Sequence, residues 1–349
     1  MKKYCYELMT DVRNGWFDHL LKGVLLVLSW IYDYVVHITQ GLYQDHILSV
    51  YRAPKPVISV GNITTGGVGK TPFVIWLVKA LSDQGIKTVV LSRGYGAGVH
   101  GLNDETRMFH EILPEAAIMT GRNRKQSIQK ALSQGAVDVF IADDAFQHWP
   151  LYRDLDIVAI DAVNPFGNGH LVPRGILREK TEALIRADVF LLTKTDQVAS
   201  TRPLSQELRA INSRAFIIES RHSPRCFRDV FTGQIYPLDR MKGQKALAFC
   251  AIGEPTSFEF TVLQAGLVLG TNLTFADHHQ YTSEDMKYVA DFAVKENINI
   301  LVTTHKDAVK INVFRNLLAG LTVLSLDIDL EITEGKDEII QRIISLQDG

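Results

Sequence analysis

Short, nearly continuous apolar runs alternate with helical patterns along the chain after residue 56. A β-rich run at Val57–Val60 leads into a glycine-rich turn, and a helical pattern over Pro72–Gln84 follows. Later apolar runs each end in polar or glycine-rich residues: Thr88–Leu91, Val137–Ala142, Ile157–Asp161 and Val189–Thr193. This alternation predicts an α/β fold with a mostly parallel sheet covered by helices on both faces. Functional residues are then expected at the carboxyl ends of the strands.

The N-terminal segment carries an uncharged apolar run, Gly23–Tyr32, between Lys22 and Asp33. The run is shorter than the roughly 20 apolar residues that span a bilayer. Aromatic residues of the kind found at membrane interfaces accompany it: Trp16, Phe17, Trp30, Tyr32 and Tyr34. The sequence predicts a helix from about residue 16 to 38 on the cytoplasmic leaflet, whose removal mainly reduces membrane association. A helix packed on the protein's own core or on a second subunit fits these residues equally well.

Composition is that of an ordinary globular protein, with 46% hydrophobic and 22% charged residues among 349. This length exceeds one typical domain, so two domains of unequal size are expected. The net charge of -2 provides no global attraction for nucleic acid. Three widely spaced cysteines, Cys5, Cys226 and Cys250, are typical of free thiols in a reducing cytosolic compartment.

The turn after the first apolar run has the composition of a phosphate-binding loop. Gly66, Gly67, Val68 and Gly69 precede Lys70 and Thr71, where a helix is predicted to open. Backbone N–H groups of such a turn and the helix dipole bind phosphate, while lysine reaches the β- and γ-phosphates and threonine holds Mg²⁺. The usual pattern places a glycine where this chain has Thr64, so the motif is a variant. A glycine turn that binds nothing is the alternative.

Paired carboxylates follow a second predicted strand. Asp143 and Asp144 come directly after Val137–Ala142. A phosphate-loop enzyme places its second Mg²⁺ anchor in this way, directly or through water. Two carboxylates that only cap the next helix are the alternative. Together with Lys70 and Thr71, the pair favours a magnesium nucleotide site.

Two other clusters contain groups suited to proton transfer. Asp104 lies in Asn103–Thr106, after a glycine-rich segment, and His278 lies in Phe275–Tyr281. A kinase needs a group that accepts the proton of the attacking hydroxyl, and an aspartate assisted by a histidine suits that task. Each cluster alone is also what a turn or a helix cap contains.

An ordered set of motifs between about residues 50 and 310 resembles the tetraacyldisaccharide 4′-kinases of lipid A biosynthesis. The set comprises Gly61-Asn62, Gly66–Pro72, Ser92–Gly96, Asp104-Glu105, Asp143-Asp144, Phe146–His148, Gly169, Leu177–Glu179, Asp277-His278 and Thr303–Asp307. The resemblance implies transfer of the γ-phosphate of ATP to the 4′-hydroxyl of a membrane-embedded acylated glucosamine disaccharide. It also implies work at the cytoplasmic face of the bacterial inner membrane, with ATP and Mg²⁺.

The resemblance also implies roles for individual residues. Lys70 would bind the phosphates, and Thr71 with Asp143 and Asp144 would serve Mg²⁺. Asp104 and His278 would form a catalytic dyad. Further active-site residues would be Glu105, His148 and Glu179. Arg122, Arg124 and Lys125 are candidates to bind the existing phosphate of the disaccharide, with a solvated basic face as the alternative.

The family fold that the resemblance implies has a larger phosphate-loop domain, a two-stranded linker and a smaller α/β domain. Applied to this chain, residues 1–45 form the membrane-associating segment and residues 46–220 the nucleotide-binding domain. Residues 221–243 form the linker, with Thr232–Gln234 as its turn, and residues 244–349 form the smaller domain.

The chain departs from the family pattern in two motifs, and its sequence is also compatible with two rival functions. Arg174 stands where the family usually has alanine, and His305 where it usually has glutamate. Thr193–Asp196 is similar to the guanine-reading Asn-Lys-x-Asp element, so a GTP-dependent switch or chaperone at the membrane is one rival. A membrane-bound scaffold with a vestigial nucleotide site is the other.

Overall fold

The computed structural model describes residues 2–94, 109, 112, 113, 116–277 and 279–347. The chain divides into two compact units. Unit 1 comprises Met1–Arg221 and Ile332–Gly349, and unit 2 comprises His222–Glu331. Two long strands, β7 (Phe216–Asp229) and β12 (Thr322–Glu334), carry the chain across the boundary between the units and back.

Unit 1 is built on a parallel sheet. Its strands, besides the first part of β7, are β1 (Val57–Gly61), β2 (Thr88–Ser92), β3 (Ala117–Thr120), β4 (Val139–Asp143), β5 (Leu155–Asp161) and β6 (Val189–Thr193). They lie in the order β7-β6-β5-β1-β4-β2-β3, and each neighbouring pair is parallel. Every residue of β1, β4, β5 and β6 is buried, as expected for strands covered on both faces.

Helices of unit 1 cover this sheet or precede it. They are α1 (Lys2–Met9), α2 (Trp16–Gln44), α3 (Lys70–Ser82), α4 (Arg124–Gln134), α5 (Arg202–Ile211) and α10 (Lys336–Ser345), with 3-10 turns at Thr181–Arg186 and Thr195–Gln197. The glycine-rich loop follows β1 in the centre of the sheet, and the paired aspartates follow its neighbour β4. The predicted α/β fold, with its parallel sheet, is therefore confirmed.

Helix α2 runs from Trp16 to Gln44 and is longer than the predicted helix over residues 16 to 38. Its buried residues are polar: Asp18, Lys22 and Ser29. Its exposed residues are apolar or aromatic along most of its length: Trp16, Phe17, Leu20, Val24, Val27, Leu28, Trp30, Ile31, Tyr34, Val35 and Ile38. Within the described part of the chain it is the one helix long and apolar enough to cross a membrane. Helix α2 therefore has the inverse of the burial pattern of a soluble surface helix.

Unit 2 contains its own parallel strands. They are β9 (Lys245–Cys250), β10 (Val268–Thr274), β11 (Ile300–Thr304) and the first part of β12, in the order β10-β9-β11-β12. Its helices are α6 (Leu238–Met241), α7 (Pro255–Gln264), α8 (Ser283–Lys295) and α9 (His305–Ile311), followed by a 3-10 turn at Asn312–Phe314. The free cysteines Cys226 and Cys250 are both buried here.

The region predicted as the linker contains an antiparallel strand pair. The end of β7 pairs with β8 (Ile235–Pro237), with Phe227 opposite Tyr236. The last residues differ from the predicted division, because residues 332–349 belong to unit 1 rather than to the smaller domain. Helix α10 buries Ile339 and Ile343, and Arg342 lies 5.4 Å over the ring of Phe216. Arg342 also lies 3.7 Å from the Asp188 carboxylate, so both of these contacts join the chain end to residues of unit 1.

Candidate phosphate-binding site

The loop between β1 and α3 has the backbone geometry that a phosphate cradle needs. Gly66 and Gly69 have φ values of 117° and 82°, which side-chain-bearing residues rarely adopt. A Cβ atom on Gly66 or Gly67 would meet no atom within 4 Å, so the surface above these two residues is open. Gly69 directly precedes α3, and the Thr193 hydroxyl donates a hydrogen bond of 3.0 Å to the carbonyl of Val68. The loop therefore presents accessible backbone at a helix N-terminus.

Lys70 is the first residue of α3, and its ammonium group is held from two sides. Its Nζ donates to Asn62 Oδ1 at 2.7 Å and lies 3.3 Å from Asp144 Oδ1. Asn62 is fully buried, and its amide nitrogen donates to the carbonyl of Thr64 at 2.6 Å. The side-chain amide of Asn62 thus holds both the loop backbone and the ammonium group of Lys70 in place. Asn62 belongs to the motif set found in the sequence, but no role was predicted for it.

Asp144 lies between two cations at the end of β4. Its carboxylate is 3.3 Å from Lys70, and Arg178 Nη1 donates to its two oxygens at 2.8 and 3.0 Å. Burial alone would raise the pKa of the Asp144 carboxyl, but the charges of Lys70 and Arg178 outweigh it and hold that pKa below its usual range. Asp144 is therefore an anionic bridge, and Arg178 is a residue of this network to which sequence reasoning gave no role.

Asp143 differs from its neighbour in its surroundings. It is the last residue of β4 and is buried, and its backbone carbonyl accepts a hydrogen bond of 2.6 Å from Arg124 Nη2. Arg124 is only 3% exposed. Its assignment to the existing phosphate of the disaccharide stays a prediction. Lys125 lies 5.3 Å from the ring centre of Tyr51.

His148 lies near three arginines and is partly buried. Burial first, and then the charges of Arg124, Arg153 and Arg93, lowers the pKa of His148 to about 4. The imidazole is therefore neutral at neutral pH and adds no positive charge for phosphate. It can accept a hydrogen bond or a proton instead.

This histidine should make the folded protein less stable in mild acid. Between pH 6.5 and about 4 the unfolded chain binds a proton at His148 that the folded chain does not. Protonation therefore costs no folding free energy above pH 6.5, and it lowers the free energy of unfolding as the pH falls from 6.5 to about 4. We expect the free energy of unfolding to fall by about 1 kcal/mol over this range, a value that already allows for the partial exposure of the ring. Urea unfolding at several pH values should show a shallower acid dependence for His148→Gln. Equal slopes in the two proteins would contradict the assignment.

Glu179 is buried in an ion pair. Arg186 donates to both of its oxygens at 2.9 and 3.0 Å, and Gln40 of α2 donates to Oε2 as well. Arg186 in turn lies 4.3 Å over the ring of Trp149. The structure thus places this predicted active-site residue in a network that fixes the segment after Arg178.

Asp104 and His278, which were assigned to proton transfer, lie outside the described residues, as does the further predicted active-site residue Glu105. In unit 2, on the two sides of His278, the rings of Phe275 and His279 stack at 5.2 Å. His279 Nε2 lies 2.8 Å from Asp285 Oδ2, and Tyr281 packs edge-on against Phe275. The described neighbours of His278 thus form an aromatic cluster.

The segment similar to a guanine-reading element follows β6. Lys194 is fully buried, and its ammonium group pairs with Asp161 at the end of β5. Asp161 also accepts a hydrogen bond of 2.9 Å from the backbone of Val163. Lys194 thus joins the ends of two strands inside unit 1 and does not lie on an exposed surface.

The oxygen ligands near the loop suit Mg²⁺ in combination with phosphate. Thr71 is in the first turn of α3, Asp143 is the last residue of the neighbouring strand β4, and Asp144 follows it. In the part of the chain that the structure describes, no group of three His, Cys, Asp or Glu side chains is placed to hold a metal alone. Mg²⁺ in nucleotide sites is bound by one or two carboxylates together with substrate phosphates, which fits this arrangement.

Comparisons with known proteins agree on one family. The model of the family "Tetraacyldisaccharide-1-P 4'-kinase" (LpxK) matches residues 21–345. A tetraacyldisaccharide 4'-kinase of Halothermothrix orenii is 32% identical, with 98% of each chain covered. One from Bdellovibrio bacteriovorus is 33% identical over 93% of this chain and 100% of its own.

A solved structure is similar to the whole chain as well. It is LpxK from Aquifex aeolicus in complex with ATP, with a TM-score of 0.69 and 26% sequence identity. The alignment covers 93% of this chain and 99% of that one. The similarity therefore extends over both units and not only over the phosphate loop.

Proposed function

The chain belongs to the tetraacyldisaccharide-1-P 4'-kinase family, and from this premise we propose how its residues carry out the reaction. The reaction is phosphoryl transfer in lipid A biosynthesis, from the γ-phosphate of ATP to the 4′-hydroxyl of a tetraacylated glucosamine disaccharide 1-phosphate. The position of Lys70, at the head of α3 and beside the open backbone of Gly66 and Gly67, carries the proposal. The ATP complex of the Aquifex aeolicus relative supports ATP as the donor.

The nucleotide phosphates would be bound by the loop backbone from Gly66 to Gly69 and by Lys70. Thr71, Asp143 and Asp144 would hold Mg²⁺, which neutralises charge on the β- and γ-phosphate oxygens. Asp144 has a second task, because it orients Lys70 and Arg178 through direct ion pairs. Fixed positive charge near the transferred group stabilises the transition state without reorganisation during the reaction.

We assign activation of the acceptor hydroxyl to Asp104, assisted by His278, with Glu105, His148 and Glu179 as further active-site residues. Replacement of Asp104 by alanine should lower kcat by about 10²- to 10⁴-fold, because a general base contributes that much. The affinity for ATP should change little, since the role lies in the chemical step. Steady-state kinetics with a nucleotide titration measures both effects. An unchanged kcat would remove Asp104 from the mechanism.

The membrane proposal rests on α2, whose exposed face is apolar. We assign this face to the cytoplasmic leaflet of the bacterial inner membrane, where an acylated substrate resides. Trp16 and Trp30 are 82% and 63% exposed, and burial of such side chains in lipid removes apolar surface from water. A helix that lies in the interface, bound on one side to its own protein, gives a monotopic enzyme.

Polar substitution on the exposed face should detach the protein from lipid. We expect Val27→Ser with Ile31→Ser to reduce co-sedimentation with phosphatidylethanolamine–phosphatidylglycerol vesicles at least about tenfold, because two exposed aliphatic contacts are lost. The wild-type protein is the reference, and melting temperature checks the fold. A wild-type protein that stays in the supernatant would contradict the membrane assignment. A wild-type dimer that the variant does not form would indicate that a second copy covers this face.

The transfer reaction itself can be measured directly. ATP labelled at the γ-phosphate is incubated with the acylated disaccharide 1-phosphate in detergent micelles, and the labelled lipid is separated by chromatography. A parallel reaction with labelled GTP tests the rival nucleotide. Transfer from ATP with little from GTP supports the proposal, while a preference for GTP or the absence of labelled lipid would overturn it.

A further inference from the structure

Several polar side chains of α2 bind one other segment of unit 1, Leu171–Lys180. Ser29 Oγ donates to the carbonyl of Leu171 at 2.8 Å and accepts a hydrogen bond of 3.0 Å from the backbone N–H of Arg174. Tyr32 Oη donates to the carbonyl of Arg178 at 3.0 Å. These bonds engage backbone groups that would otherwise need other partners, so α2 is part of the structure of this segment.

Charged and amide contacts extend the same attachment. Asp33 forms a 2.6 Å ion pair with Lys180, and Gln40 donates to the buried carboxylate of Glu179. Together with Ser29 and Tyr32, these residues form a stripe along one face of α2 at helical spacing. The stripe covers three turns and ends next to the residues that follow Arg178.

The segment Leu171–Lys180 in turn forms backbone hydrogen bonds with the phosphate loop. The N–H of Arg178 donates to the carbonyl of Ile63 at 2.7 Å, and the N–H of Thr65 donates to the carbonyl of Ile176 at 2.7 Å. The side chain of Arg178 binds Asp144, which binds Lys70. A continuous series of direct contacts therefore connects α2 with the ammonium group expected to bind phosphate.

A second attachment lies before α2 and uses the residue that departs from the family pattern. Arg174 Nη2 lies 2.9 Å from Asp11 Oδ1, and Lys22 Nζ lies 2.6 Å from the same oxygen. Asn168 donates to Asp11 Oδ2 at 2.9 Å. The turn between α1 and α2 is thus fastened to the same segment, and Arg174 has a structural role in this chain.

From these contacts we propose that α2 is a positioning element of the phosphate-binding site, with Tyr32 and Gln40 as positioning residues for Arg178. The proposal rests on the proposed function and extends it. The helix that meets the membrane also holds the segment that aligns Arg178, Asp144 and Lys70. The sequence predicted that the helix mainly serves membrane association. It did not predict that the helix also positions Arg178.

Removal of one inward-facing polar group should lower turnover without detaching the protein from lipid. We expect Tyr32→Phe and Gln40→Leu each to lower kcat about threefold to tenfold, and their combination by more, since small displacements of positioning groups slow catalysis. KM for the lipid and partitioning into vesicles should stay within about twofold, because the exposed apolar face is intact.

Matched controls use side chains to which no role is assigned. Gln44→Leu repeats the change made in Gln40→Leu at an exposed glutamine of the same helix, and Tyr288→Phe repeats the change made in Tyr32→Phe at a tyrosine of α8 that is 55% exposed. Both should leave kcat unchanged. All proteins are compared well below their melting temperatures, so that a loss of stability alone does not lower kcat.

Binding of a non-hydrolysable ATP analogue with Mg²⁺, measured by calorimetry, gives a readout that does not depend on the acceptor. If the wild-type protein transfers no phosphate to the disaccharide, the proposed function fails, and analogue binding still tests the positioning role. An unchanged kcat and an unchanged analogue affinity in the Tyr32→Phe, Gln40→Leu double variant would overturn the inference. A loss of kcat that follows a loss of vesicle binding would overturn it too, because α2 would then act only as an anchor.

Discussion

Replacement of Lys70 by alanine is expected to lower kcat/KM for phosphoryl transfer by about 10³-fold or more, while the protein stays folded. The ammonium group lies at the N-terminus of α3 beside the open loop backbone, so its loss removes positive charge where phosphate would bind. The fold should tolerate the change because Asp144 keeps Arg178 as its partner. Labelled-phosphate transfer measures activity, and thermal unfolding measures stability.

The matched control for this change is Lys79→Ala, which removes an exposed lysine from the same helix. It should leave both kcat and KM within about twofold, because a solvated surface charge contributes little. Activity in Lys70→Ala comparable to that of the control would show that the loop binds phosphate through its backbone alone or that it does not bind the donor.

The phosphate loop and the parallel sheet could be predicted from sequence because their signals are local. Buried parallel strands are continuous apolar runs, and the glycines with Lys70 and Thr71 occupy six adjacent positions. The strand predicted at Val137–Ala142 is observed at Val139–Asp143, a shift at the boundary only. Local pattern therefore predicts both the elements and the end of the sheet at which the site lies.

The network around Lys70 could not be predicted in the same way, because its members meet only in the folded chain. Arg178 is 34 residues from Asp144 in sequence, and Tyr32 donates to a carbonyl 146 residues away. Arg178 and Asn62 belong to the motifs shared with the family, and this was the only sign in the sequence that they have a role. A motif does not show which side chains are in contact. Only the fold reveals that Asp144 is shared by two cations.

Helix α2 shows how one apolar run can be consistent with two structures. Its length and aromatic residues predicted a helix with an apolar face, and left open whether that face meets lipid, the protein's own core or a second subunit. The structure turns the polar residues Ser29, Tyr32 and Gln40 to the protein and leaves the apolar face exposed. The helix therefore packs on its own unit through one face, with Tyr32 against a buried core cluster, while its apolar face is exposed among the described residues.

The second large effect is expected for Asp144→Asn, which keeps the size of the side chain and removes its charge. Lys70 and Arg178 lose their common anion, so we expect kcat to fall about 10²-fold or more and the Mg²⁺ requirement to rise. Kinetics over a range of Mg²⁺ concentrations measures both effects. Asp83→Asn, at the exposed C-terminal end of the same helix as Lys70, is the control and should behave as wild type. A kcat within twofold of wild type would contradict the role of Asp144, since a neutral amide lacks the negative charge that forms ion pairs with both cations.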